Sequence, residues 1–155
     1  MVESTLFTKI IRGEIPSSKV AEGEEWYAFL DINPHRPGHT LVVPKEEAQR
    51  ISELSDESRR ALLDGVIEVQ RRLSVEFETT DFSVNLNDGP LAGQEVPHVH
   101  FHVIPRVAEG TRRPMWTQKK DSAEPDFAML AALAERLQTH LLGRLHGRED
   151  SSIWR

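Results

Sequence analysis

Polar and apolar side chains alternate without a break from His98 to Val103: His98, His100 and His102 fall on one side, and Val99, Phe101 and Val103 on the other. A period of two belongs to a β-strand, whose successive side chains point to opposite faces. The pattern predicts a strand over 97–105, with its apolar side in the core and its three imidazoles projecting together. Three of the chain's seven histidines fall in these five positions. On a rigid strand, that row reads as a site.

The same logic divides the rest of the chain. Leu6-Phe7 and Ile10-Ile11 predict a short opening helix, ended by Gly13 and Pro16. Strands are predicted over 18–22, 26–30, 39–44 and 81–87. The segment 31–38, with two prolines and a glycine, is a loop, and Asp88 to Gln94 is a tight one. A helix begins at Ser55, a capping residue followed by Asp56 and Glu57 at the positive end of the dipole. Its Leu62, Val66, Val69 and Leu73 form one apolar stripe, suited to cover a sheet, while Arg71 and Arg72 suit its carboxyl end. A last helix opens near Pro125, carries Phe127, Leu130, Ala134, Leu137 and Leu141 on one face, and stops at Gly143. Residues 1–110 form the core domain. Residues 111–155, comprising the rest of the basic segment 106–123, the last helix and a tail in which Trp154 docks, are expected to pack on the same domain. His140 and His146 lie outside the row and read as solvated.

Composition narrows the chemistry. A chain of 155 residues suggests one domain with a real core. Its net charge of −6 argues against a long nucleic-acid partner and leaves room for a small anion held locally. There is no cysteine, hence no disulfide and no thiolate metal site. Neither a signal peptide nor a membrane span is visible, so a cytoplasmic protein is expected.

Clustered histidines serve metal ligation, proton transfer or nucleophilic attack. His-x-His on a strand places two nitrogens on one cation, but a catalytic metal site usually adds carboxylates or cysteines. The nearest acids in sequence, Asp88 and Glu95, lie outside the alternation. Attack on phosphorus fits better. A neutral imidazole is nucleophilic near pH 7, and its phosphoramidate is labile enough to turn over. Donors flanking the middle histidine, with glycine-rich backbone N–H groups, would neutralise the growing charge. His39 by itself reads as a strand-edge histidine with solvent access. Asn87 and Gln94 read by themselves as turn chemistry.

At this point the sequence resembles the histidine-triad family of nucleotide hydrolases and transferases. His98-Val99-His100-Phe101-His102-Val103-Ile104 matches the family motif in full. Phe7 to Pro16 resembles its amino-terminal signature, Asp31 to Lys45 its second block, and Gly93 to Pro97 the lead-in to the triad. The resemblance implies an α+β fold, a five-stranded antiparallel sheet with helices, with the sheets of two protomers joined across a homodimer. It implies that His100 takes the nucleoside monophosphate, that His98 organises the site, and that His102 and His39 contact the phosphate or orient the nucleophile. Asp31 would hold the ribose hydroxyls. Leu6, Phe7 and Ile10 would wall the base pocket. Asn87, Gly93 and Glu95 would lie at the phosphate, Glu95 through its backbone N–H.

Many bacterial relatives carry Cys-x-x-Cys and bind a structural zinc. Here those positions are Thr5 and Thr8, and the downstream ligand position falls near Glu47, so no metal and no cofactor are expected. The activity implied is cleavage of a nucleoside phosphoryl bond, in a phosphoramidate or a dinucleoside polyphosphate with a purine preferred, through a nucleotidyl-histidine. A nucleotide-binding sensor or scaffold with incidental catalysis, and a metal-dependent hydrolase, are the alternatives.

Overall fold

The structure is a computed structural model that describes residues 3–108 and 124–146, the side chains as far as residue 140. The elements in chain order are α1 (Leu6–Ile11), β1 (Lys19–Glu22), β2 (Trp26–Leu30), β3 (Thr40–Pro44), α2 (Asp56–Phe77), β4 (Asp81–Leu86), β5 (Phe101–Arg106) and α3 (Phe127–His146). The five strands form one sheet in the order β1-β2-β3-β5-β4, and every adjacent pair is antiparallel. The fold is therefore α+β with a five-stranded antiparallel sheet.

Register decides which residues share a face. Leu41 stands opposite both Phe29 and His102, and Val42 opposite Ala28 and Phe101. One face carries Ala28, Leu30, Val42 and Val103 against the buried stripes of α2 (Leu62, Val66, Val69, Leu73) and α3 (Leu130, Leu133, Ala134, Leu137). The other carries Tyr27, Phe29, Leu41 and Val43 against Phe7 and Ile10 of α1. Helices thus cover one face broadly, and α1 covers part of the other. The imidazoles open onto that second face.

The ends of the helices follow their sequence. Thr5 caps α1 through its hydroxyl, which accepts from the Thr8 N–H (3.2 Å), and Ser55 caps α2 in the same way. Gly38, with φ +87°, turns the chain into β3; a Cβ there would lie 2.6 Å from the Phe77 ring.

Three expectations change. The last helix starts two residues after Pro125, where the Asp126 side chain accepts from the Met129 N–H, and it continues through Gly143 to His146. Leu133 is buried in it while Phe127 is exposed. A single glycine did not stop a helix whose packed face fixes it to α2 and β1. Arg72 does not serve the carboxyl end of α2, whose last turn carries no basic residue: it is buried and donates to the carbonyls of Val20 (3.0 Å) and Leu137 (3.3 Å) and to the Glu68 carboxylate. His140 is not merely solvated, since its Nε2 lies 3.1 Å from Glu76 Oε1. Most of the basic segment, together with Trp154 and the side chains of Leu141 and His146, lies outside the described residues. Among the described residues, no helix is long and apolar enough to cross a membrane.

Candidate active site

The hydrogen-bonded strand β5 begins only at Phe101, so His98 and His100 precede it and His102 alone is on it. The predicted strand over 97–105 is corrected to that extent. The cause is local: β3 and β5 pair no further than Val42 and Phe101, and the Val99 N–H turns instead to the Ala48 carbonyl (2.8 Å). Sidedness survives the loss of pairing. Val99 stays in the helix-covered core, and all three histidines are buried. Phe7 of α1 contacts both His98 (5.8 Å between ring centres) and His100 (5.0 Å), each edge to face. The His100 and His102 rings are 5.0 Å apart.

Hydrogen bonds assign the proton on each neutral ring, because a carbonyl oxygen can only accept. His100 Nδ1 lies 2.8 Å from the His98 carbonyl, so Nδ1 carries the hydrogen and the lone pair is on Nε2. His98 Nε2 lies 2.8 Å from the Pro44 carbonyl, so Nε2 is its donor, and Nδ1 accepts the Thr5 hydroxyl at 2.6 Å. Burial holds the His98 pKa below the ordinary histidine value. The bond to Pro44 and the charge of Glu47 oppose that, and His100 adds to it. His98 is therefore neutral.

A second chain of bonds runs from the β2–β3 loop. The His35 N–H donates to His39 Nδ1 (3.1 Å), which puts the neutral His39 proton on Nε2. That Nε2 is 2.9 Å from His102 Nδ1, and His102 accordingly keeps its own proton on Nε2. Asp31 Oδ2 lies 3.6 Å from His39 Nε2, while Oδ1 accepts from the Asn33 N–H. His39 is thus no solvent-accessible edge histidine: it is 1% exposed. Nor are Asp88 and Glu95 the acids nearest the imidazoles. Asp88 Oδ1 accepts the Ile51 N–H, Glu95 is exposed, and the carboxylate that approaches is Asp31. The loop closes it there, since the Asp31 N–H bonds the His39 carbonyl (2.9 Å).

The other candidates fall around this centre. Phe7 and Ile10 are buried against the sheet, whereas Leu6 is 45% exposed. Asn87 follows β4 and accepts from Asn85, which pairs with His102. A Cβ on Gly93 would come within 3.7 Å of Asn87 Nδ2, so this glycine (φ +93°) brings the turn against Asn87. Gln94 holds the loop shut, accepting from Gly89 N–H and donating to the Gln49 carbonyl, which is structural work.

Two places bear on metals. Among the described residues, Asp31, His39 and His102 present ligand atoms within 4.8 Å of one another, a set able to hold a cation if the His39–His102 bond gave way. At the positions where relatives carry a structural zinc, Glu47 Oε1 accepts the Thr5 N–H (2.8 Å) and the Thr8 hydroxyl (2.7 Å), and Thr5 bonds His98. Two hydroxyls, a carboxylate and an imidazole already bonded at both nitrogens are not the thiolate and imidazole set of structural zinc. Those residues do not fit that metal. The resemblance groups Thr5, Thr8 and Glu47 as the places of zinc ligands; their linkage to His98 is what the sequence does not show, because nothing in the spacing joins that group to position 98.

Comparison with known proteins identifies the family. A model of the HIT domain matches residues 12–109. A Schizosaccharomyces pombe protein named adenosine 5'-monophosphoramidase hnt1 is 45% identical over 106 residues, 68% of this chain and 77% of that protein. The Saccharomyces cerevisiae protein named adenosine 5'-monophosphoramidase HNT1 is 36% identical over 145 residues, 93% of this chain and 84% of that one. Among solved structures, a hypothetical histidine triad nucleotide-binding protein from Sulfolobus tokodaii superposes with a TM-score of 0.77 at 27% identity, covering 89% of this chain and 92% of that one.

Proposed function

The chain belongs to the HIT-domain family, and from that premise we propose that it hydrolyses nucleoside phosphoryl bonds through a nucleotide bound covalently to His100. The observation that carries the reading is the bond from His100 Nδ1–H to the His98 carbonyl, which leaves the lone pair on Nε2 in a buried ring beside His102. In the first step Nε2 bonds to the α-phosphorus as the bond from phosphorus to the leaving amine or nucleotide breaks; the bonding pair goes with the leaving group, and an amine takes up a proton as it leaves. In the second, water attacks the same phosphorus and gives up a proton, the P–N bond breaks with its pair returning to Nε2, and a nucleoside monophosphate departs. His102 offers its Nε2–H to a phosphate oxygen, and His39 orients it through the bond to its Nδ1. Asp31 takes the ribose hydroxyls as a two-oxygen acceptor, the α1 side chains Leu6, Phe7 and Ile10 wall the purine, and Asn87, Gly93 and the backbone of Glu95 serve the phosphates.

The names of the yeast relatives support the phosphoramidate as leaving-group class. The reading includes a cytoplasmic homodimer. Its support is the resemblance and the edge strand β4, along which Val84 is 44% exposed.

The test is a panel of adenosine and guanosine phosphoramidates, diadenosine polyphosphates and nucleotidyl sugars, run with wild type and His100→Ala. His100→Ala is expected to lose turnover and keep nucleotide binding. Near-normal activity of that variant on every substrate would end the reading. The convergence of Asp31, His39 and His102 favours one competitor, a metal-dependent hydrolase. Full activity of metal-free protein in chelator removes the competitor, and activity restored only by added metal would establish it.

A further inference from the structure

We propose that Glu47, Thr8 and Thr5 are positioning residues that, together with the Pro44 carbonyl, hold His98 in one tautomer and one orientation and, through its carbonyl, direct the nucleophilic nitrogen of His100. The inference rests on the reading of His100 given above, and adds to it a relay outside the substrate pocket. The relay is directional because each group has one proton to give. The Thr8 hydroxyl gives its proton to Glu47 (2.7 Å), so its oxygen, 3.2 Å from that of Thr5, competes as an acceptor for the Thr5 proton; the much shorter contact to His98 Nδ1 wins, because the Pro44 carbonyl leaves that nitrogen a lone pair. The Thr5 oxygen receives from the Thr8 N–H (3.2 Å) as the cap of α1, and its own proton is directed to His98 Nδ1 at 2.6 Å. The Thr5 N–H is held by the same Glu47 oxygen (2.8 Å).

His98 thereby has an acceptor nitrogen toward Thr5 and a donor toward the Pro44 carbonyl. Its backbone carbonyl, set between these anchors, receives His100 Nδ1–H (2.8 Å). The opposite His98 tautomer would point a proton at the Thr5 hydroxyl and a lone pair at a carbonyl oxygen, and the second contact is repulsive. The same three residues tie down α1, which brings Phe7 against both rings. The disagreement with a zinc site thus has a physical content: a hydrogen-bonded clamp, with Glu47 at its outer end, does the orienting at this position.

The experiment reads ¹⁵N-histidine NMR and steady-state kinetics on an adenosine phosphoramidate in the full chain, with Thr5→Val, Thr5→Asp, Thr5→Ser, Glu47→Ala and Glu47→Gln. Thr5→Ser and Glu47→Gln keep the donor and the acceptor and are expected within about threefold of wild-type kcat. Thr5→Val and Glu47→Ala are expected to lower kcat by about tenfold or more with KM changed less, the scale typical of groups that orient another ligand or base. Thr5→Asp keeps a capping oxygen but no hydroxyl proton, so His98 Nδ1 is expected to become protonated. Wild-type spectra should show His98 protonated at Nε2 alone, and Thr5→Val should lose that single tautomer. A fall in kcat with the His98 tautomer unchanged would overturn the proposal, since the cluster would then only hold α1 in place. So would wild-type kcat in Thr5→Val. Should the wild type cleave none of the substrates, the functional reading fails while the NMR still judges the relay; if Thr5→Val does not fold, Glu47→Ala and Thr5→Asp carry the same readout.

Discussion

At the residue scale, the site is a matter of which nitrogen holds a proton. His39 and His102 share one hydrogen bond, and His39 receives another from the His35 backbone. Removing His39 leaves His102 Nδ1 without its donor, so His39→Ala is expected to cost on the order of 10²–10⁴-fold in kcat, measured on the best substrate of the panel. His98 gives a different signature. Its pKa is depressed in the folded protein, chiefly by burial, below the ordinary value of about 6.5 that the unfolded chain keeps. On acidification the unfolded chain therefore takes the proton first. The contribution of neutral His98 is whole above about pH 6.5 and is lost as pH falls from there through the folded-state value. Urea melts between pH 8 and pH 5 should show stability falling below about pH 6.5, and His98→Gln should flatten that part of the slope. An unchanged slope would mean that other groups control acid sensitivity.

At the scale of elements, periodicity was legible wherever one face of an element meets the core. The strand 26–30, the stripe Leu62, Val66, Val69 and Leu73, and the Ser55 cap all stand where their pattern put them, because burial on one side and solvent on the other is written locally. What was illegible depends on partners far away in sequence. Nothing in the run 97–105 shows that the Val99 N–H leaves β3 for Ala48, and nothing near Arg72 shows that its guanidinium reaches the carbonyls of Val20 and Leu137. The site shows the same split. The triad was legible from its alternation, whereas Asp31 beside His39 and the bond that joins the Thr5, Thr8 and Glu47 group to His98 arise only when the chain folds. Arg72→Met keeps the aliphatic bulk but removes the buried donor that ties the Val20 and Leu137 carbonyls to the Glu68 carboxylate. A loss of about 2–4 kcal/mol is expected in chemical denaturation. Leu73→Ala in the same helix should cost about 2–5 kcal/mol by opening a cavity under the sheet. Neither should alter KM if the sheet survives.

At the scale of the molecule, the two faces of the sheet divide the labour. One is sealed by α2 and α3 and supplies stability. The other, part-covered by α1, holds the imidazoles in a buried setting where oriented N–H groups act strongly on a phosphate. A chain with net charge −6 repels polyanions at long range, so the proposed recognition of a nucleotide calls for local donors, which this face supplies among the described residues. All of it converges on one atom, Nε2 of His100. The most direct test mixes enzyme with a labelled adenosine phosphoramidate, stops the reaction within one turnover under alkaline conditions, and maps the label by mass spectrometry. The expected result is adenylate bound to the peptide that contains His100, absent in His100→Ala and released as adenosine monophosphate when the reaction proceeds. Rapid turnover with no adduct at any time, or an adduct on another residue, would contradict the account.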